Sequence, residues 1–431
     1  MPTTVIQVRH LLRRTGYQAT PTLVGELSTL DLPALVEWIL NAAAALEVDP
    51  VEFSDPGKSD WEKQVAFIQQ WYDRMATSSS PLVEKMTLFW HGHFVSSAEK
   101  VGHLAWMVSQ IRLYRQHAIG DFKVLTQAMA LEPAMLEYLD NSSNTKYGAQ
   151  QNFARELMEL FTMGVGNYTE TDVDEVARAW TGHGVDWDLM TYKYREARHD
   201  TGLKTIFGTE KRWTGPEVID TILTRADKRD VVATFISKKL WGFFAHSNPP
   251  PAALQAIAAA FSASSLDIKT LLRTMFLRPE FYSDTAKNGM VRNPAEYVTA
   301  VLRATQMTAA ELHPEWNDDN MGMRLLYPPN VAGWKTNGYF ISTSAMAGRG
   351  DFAQQVHWAL NKAGKHPLVD STKQTPAALV ALMASYLEVS FSPGTTTVLT
   401  NFITRTRTGQ HKWTEPMLLP LAMLTPEFSV A

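Results

Sequence analysis

Cysteine is absent from the 431 residues. That one absence excludes thiolate catalysis, cysteine-ligated zinc, iron–sulfur clusters and disulfides together. No apolar run reaches the roughly 18 residues of a membrane span. No basic block or RNA-binding signature occurs, and the formal charge is only −4, so nucleic acid is not expected as a partner. The opening stretch, MPTTVIQVRHLLRRTGYQATP, has no apolar core of a secretion signal. Its Arg13-Arg14 pair runs into Thr15-Gly16 and does not read as a twin-arginine leader. A soluble cytoplasmic chain is the expectation, with export alongside a partner left open. The familiar catalytic signatures are also missing: no G-x-S-x-G, no H-E-x-x-H, no P-loop, no G-x-G-x-x-G. The two Glu-x-x-His motifs that di-iron bundles use are not both present, since Glu196-x-x-His199 stands alone.

Helical periodicity dominates what is present, and 45% of the residues are hydrophobic, enough for a large core. Helices are predicted over 32–48, 61–76, 81–94 and 99–118. Asp121 N-caps the next, and shorter helices precede Asp140 and Gly164. Thr171 or Asp172 is expected to cap DVDEVARAW. The pattern then changes: residues 185–196 alternate loosely and are rich in aromatics. They predict a small β-hairpin within 185–208 of an otherwise all-α chain. Helices return after Gly215 and are interrupted at 321–347 by Pro, Gly and Asn. The expected architecture is a multi-helix array, either one domain or two regions, 1–230 and 231–431.

Four segments carry more polar chemistry than a core requires. In FWHGHF, 89–94, His91 and His93 share a face on a strand but point about 200° apart on a helix. They chelate one metal only if the backbone is extended at Gly92. On a continuing helix one alone faces the interior, where a hydrogen-bonded structural role competes with acid–base or ligand work. The second segment, 139–160, gathers Asp140, Asn141, Ser143, Asn144 and Asn152 around a loop. Glu156 lies four residues beyond Asn152, and Glu159 three beyond Glu156. Asp140, Asn144, Asn152, Glu156 and Glu159 are oxygen donors suited to a divalent cation such as calcium or magnesium. The plainer alternative is helix caps plus an Arg155–Glu159 pair worth about 0.3–0.5 kcal/mol. Against it, the helix is apolar on more than one side, and a buried carboxylate needs a partner or a shifted pKa. The third segment is His199-Asp200, a surface pair or the rim of a site. The fourth is YPPNVAGW, 327–334, with STS at 342–344: a rigid loop, or a pocket wall, with Gly333 and Trp334 packing closely.

The run of LLRRTGYQATP, FWHGHF, MLEYLDN, NFARELMELFTMGVGNYTETDVDEVARAWTG, HDTGLKTIFG, FISKKLWGFF, LLRTMFLRPEFY and YPPNVAGW resembles the bacterial domain of unknown function 1800. Order and approximate spacing match over nearly the whole chain. The resemblance implies a helical fold and supplies no reaction. It also implies a neighbour: genes of this family often adjoin those of family 1501, which resembles sulfatases. Two positions depart from the family pattern, Gly92 for a common Asn and His183 for a common Trp.

Three readings follow. In the first, the chain is an enzyme of hydrolysis or group transfer. His91 or His93 is its base or ligand, Glu156 and Asp140 hold a cation or orient the histidine, and Arg155 pairs with a carboxylate or an anionic substrate. His199 and Asp200 close the site. In the second, it is a non-catalytic partner of a sulfatase-like protein. In the third, it is a small-molecule scaffold with aromatic walls.

Overall fold

Thr4 and Gln7 exchange hydrogen bonds across the first turn of the Val5–Thr15 helix, and Ser59 and Glu62 do the same for Asp60–Thr77. Such capping boxes satisfy amides that a helix start leaves unpaired. Asp121 caps Phe122–Ala130 as its sequence predicts, accepting from the amides of Lys123 and Val124. The helix after residue 169 departs from expectation. Its cap is Thr169, paired reciprocally with Asp172, and neither Thr171 nor Asp172 holds the cap position. Only Thr169 has an acidic residue three places on that reaches back to it.

The structure, a computed structural model, describes residues 3–17, 19–42, 57–368, 373–408 and 412–430. It is a mainly α-helical array with two small antiparallel hairpins. The predicted helix over 32–48 is described as Leu32–Ala42; its remainder lies outside the described residues. The predicted 99–118 helix is two, Ala98–Val101 and Leu104–Gln116. Gly102, left-handed at φ 69°, separates them. One hairpin pairs His183–Asp186 with Thr191–Tyr194, and the other pairs Lys204–Ile206 with Thr209–Lys211. Among the described residues no helix is long and apolar enough to cross a membrane.

The Pro81–His93 helix lies in the middle of the core, with eleven side chains buried on all sides. A helix apolar all round is an interior helix. Its two charged neighbours leave in different directions and each meets buried opposite charge. Glu84 accepts from Arg74, Arg115 and the Trp71 indole. Lys85 pairs with Glu296 on the Pro294–Thr305 helix. Buried side chains from Val8 to Phe428 form one continuous hydrophobic cluster around it.

Candidate functional site

The segment after Gln151 begins as an α-helix, Asn152–Glu156, and widens into a π-helical turn, Leu157–Thr162. Phe153, Leu157, Met158 and Phe161 are buried and fix its inner side. The wider turn changes which carbonyls are paired: the amides of Met163 and Gly164 both reach the Met158 carbonyl. Two later carbonyls accept from side chains instead. Lys239 Nζ donates to Leu160 at 3.2 Å, and His93 Nε2 donates to Phe161 at 3.0 Å. π-Turns recur at functional sites, and this one sets the outward face that carries Glu156 and Glu159.

On that face the polar side chains from loop and helix meet. Asp140, left-handed at φ 60°, accepts from Lys100 Nζ at 2.8 Å and from Asn152 Nδ2 at 3.1 Å. Lys100 also donates to the Tyr138 carbonyl. Arg155 grips Glu170 with two hydrogen bonds of 2.9 and 2.8 Å. Glu159 accepts from the Tyr168 hydroxyl at 2.5 Å. The expected Arg155–Glu159 pair is therefore replaced: each takes a partner from the loop and helix that follow.

Glu156 is the exception. It is half-buried between these pairs and makes no hydrogen bond or ion pair among the described residues. Burial and the adjacent Glu159 raise its pKa above the ordinary carboxyl value, only partly opposed by Arg155. The Tyr138 hydroxyl is raised by its own burial and by Glu156, so it keeps its proton. Burial and Glu159 push Tyr168 up to about 12. The face thus offers a carboxyl biased towards its protonated form, beside a second carboxyl fixed by a phenol.

The histidines lie elsewhere. The helix continues through Gly92, and His91 and His93 are 0% and 2% exposed. The expectation that one alone faces inward is corrected: this helix has no outer side. His91 accepts from the Leu326 amide at 3.2 Å and packs between Trp71 and Trp334, centroids 5.6 and 5.0 Å away. Burial lowers its pKa to about 3, and His93 is lowered well below the ordinary value by burial and by Lys239. Their Nδ1 atoms have no hydrogen-bond partner among the described residues. His199 donates from Nδ1 to the Thr181 carbonyl at 2.9 Å, and Asp200 pairs with Arg178 at 2.8 Å. His183 meets the Tyr192 hydroxyl at 2.9 Å and lies against Trp180 and Tyr194.

The structure therefore brings Asp140, Asn152, Arg155, Glu156 and Glu159 together and leaves His91, His93, His199 and Asp200 in other surroundings. The five oxygen donors expected to hold a cation do not form one ligand set. Asn144 is buried, donating to Asn141 and the Ala177 carbonyl and accepting from the Gln150 amide. Asp140 already faces an ammonium and an amide. Among the described residues no three His, Asp or Glu side chains come together as metal ligands. Tyr138, Tyr168, Lys100 and Glu170 complete the face and were not anticipated. The tyrosines flank the segment in YLD and NYTE, close enough in sequence for their rings to have been considered.

A family model described as a protein of unknown function (DUF1800) matches residues 10–430. No curated protein and no solved structure matches the chain.

Proposed function

Since the chain belongs to the DUF1800 family of proteins of unknown function, we propose from the site itself that it is an acid–base enzyme of hydrolysis or group transfer, with Glu156 as the proton donor. The observation that carries this reading is the half-buried Glu156 carboxyl, unpartnered among the described residues and with its pKa raised, between Arg155 and Glu159, which each hold a partner. A structural carboxylate in such company takes a partner. A carboxyl with a raised pKa and no fixed partner can, in its acid form, donate to a leaving oxygen or nitrogen and recover its proton from water. Glu159, held by Tyr168, faces charge developing on the substrate. Arg155 acts through Glu170, fixing the helix end as a positioning residue. The buried His91 and His93 serve the scaffold in this reading and touch no substrate.

Chromogenic phosphate esters, sulfate esters, glycosides and amides test it. At least one class is expected to turn over, and Glu156→Gln is expected to lower kcat by about 10²–10⁴ with the fold intact. Activity of the wild type should fall as pH rises through the raised pKa, because the acid form is the working form. Equal turnover by Glu156→Gln and wild type would end the assignment. If no class turns over and a sulfatase-like protein co-purifies with full activity from the Glu156→Gln chain, the partner reading replaces it.

A further inference from the structure

The first hairpin ends in a shelf of rings. Trp187 sits in the turn between His183–Asp186 and Thr191–Tyr194 and is 50% exposed. Trp106 and His103 back it, with ring centroids 5.1 and 5.5 Å away. The buried Trp106 indole donates to the Met190 carbonyl at 2.7 Å, and Asp186 accepts from the amides of Asp188 and Leu189 at 3.1 and 3.3 Å. The turn is thus held from both ends, and it presents a supported indole to solvent. At the root of the same hairpin Tyr194, opposite His183, is 41% exposed.

Two links join this shelf to the Glu156 face. Asn141, next to Asp140, donates to the His183 carbonyl at 2.9 Å and ties the hairpin root to the loop. On the other side, His103 lies three residues beyond Lys100, which pairs with Asp140, and three residues span at most about 10 Å. The loop that leaves Asp140 and returns to Asn152 adds a further ring. Its Tyr147 is 84% exposed, in a turn closed by hydrogen bonds between the backbones of Thr145 and Gly148.

The charges around these rings favour a neutral ligand rich in hydroxyls. Lys100 and Arg155 on the face are already held by Asp140 and Glu170, and Lys193 on the hairpin is held by Asp186. A phosphate or sulfate ester would meet Glu156 and Glu159 with both cations of the face engaged. Hydroxyl groups, by contrast, can donate to Glu156 and to the exposed Asp188. Tryptophan and tyrosine rings combine a flat apolar face with a polar edge. That surface matches a pyranose ring, which has a flat C–H face and a rim of hydroxyls.

We propose that the ring shelf binds a neutral glycan and leads it to the Glu156 face, so that the bond cleaved there is glycosidic. Cleavage rests on the acid–base reading of Glu156; binding by the rings does not. Water is the co-reactant. The bond between the anomeric carbon and the leaving oxygen breaks, and the Glu156 proton goes to that oxygen. Water adds its hydroxyl to the anomeric carbon, and its remaining proton restores Glu156.

Isothermal titration of the full chain with cellopentaose, chitopentaose, xylopentaose and maltopentaose tests the shelf, with an oligogalacturonate of the same length as the anionic control. At least one neutral glycan is expected to bind with a Kd of about 1 mM or tighter, and about tenfold or more tightly than the oligogalacturonate. Trp187→Ala should weaken binding by about tenfold or more, Trp187→Tyr should recover most of it, and Glu156→Gln should still bind but fail to cleave. No binding of any neutral glycan up to about 10 mM overturns the proposal, as does equal binding of the oligogalacturonate or equal binding by a folded Trp187→Ala chain. Glycan binding with no cleavage would remove Glu156 as the acid and leave the shelf standing. Turnover of another ester or amide class without glycan binding would do the reverse. The neutral-against-anionic comparison uses the wild-type chain, so it stands even if the variants do not fold.

Discussion

The carboxylate of Glu84 is 1% exposed and faces donors from three other residues. Arg115 reaches it through Nε at 2.6 Å and Nη2 at 3.1 Å, Arg74 through Nε at 2.9 Å, and the Trp71 indole at 3.1 Å. Two guanidiniums thus share this carboxylate inside an apolar helix layer. Such a cluster adds little over well-packed hydrophobic side chains, but removing the charge of Glu84 takes from both buried guanidiniums the anion they share. Glu84→Gln keeps the shape and one acceptor while removing the charge. It is expected to lower the unfolding free energy by about 3–5 kcal/mol, a third or more of the roughly 5–15 kcal/mol typical of a domain. Urea titration checks this, and a change below about 0.5 kcal/mol, the level of an ordinary surface substitution, would refute the account.

At the scale of elements, the end of the Pro81–His93 helix and the YPPNVAGW loop fit each other without room for a methyl group. Gly333 is left-handed at φ 80°, and a Cβ there would lie 2.5 Å from the Gly92 carbonyl oxygen. Beside it, Trp334 covers His91. Gly333→Ala combines the cost of a left-handed L residue, about 1–2 kcal/mol, with that of overpacking, about 1–3 kcal/mol. A loss of roughly 2–5 kcal/mol in thermal or urea unfolding is expected, and an unchanged midpoint would disprove the close approach. The sequence hinted at this contact through the Gly-Trp pair, because a glycine before a large ring is a local sign. Local signs also located the Asp121 cap, the first hairpin and the Asp140-to-Glu159 face, where a loop feeds directly into a helix. What stayed hidden was set at long range. The depth of His91 depends on Trp71 and Trp334, and an all-apolar helix has no polar stripe to reveal which side faces in. The π-turn at Leu157–Thr162 keeps an ordinary helical pattern of apolar residues, so periodicity alone could not expose it. The helix break at Gly102 and the true cap at Thr169 were readable in principle, from a glycine and from the Thr169–Asp172 spacing.

Across the whole molecule, buried histidines and buried carboxyls pull the pH dependence of stability in opposite directions. Burial lowers His10 and His91 to about 3, His183 and His366 to about 4, and His93 well below its ordinary value. In the unfolded chain these rings take protons below pH about 6.5, while in the folded chain they stay neutral. The unfolded state then binds more protons, so stability is full above pH 6.5 and is lost as pH falls towards the folded values. Glu132 behaves in reverse. Burial raises it to about 7 from 4.5, so the folded state holds a proton that the unfolded state releases. Its contribution is full below pH 4.5 and is lost as pH rises to about 7. Asp318, raised by burial with the Tyr72 hydroxyl at 3.1 Å from each oxygen, acts in the same sense as Glu132 from pH about 4 upwards. His117, His246 and His357 are lowered too, and Asp73, Glu156 and Glu388 are raised, so among the described residues eight histidines oppose five acids and net stability should rise with pH between 4.5 and 6.5. Differences between variants isolate each group. Relative to His91→Gln, the wild type should lose about 1.4 kcal/mol for each pH unit of acidification through this window. Relative to Glu132→Gln, it should lose stability as pH rises from 4.5 to 7. Denaturation curves at a series of pH values give both slopes. Parallel curves for wild type and His91→Gln would mean that His91 takes up a proton in the folded core, which its position between two tryptophans argues against.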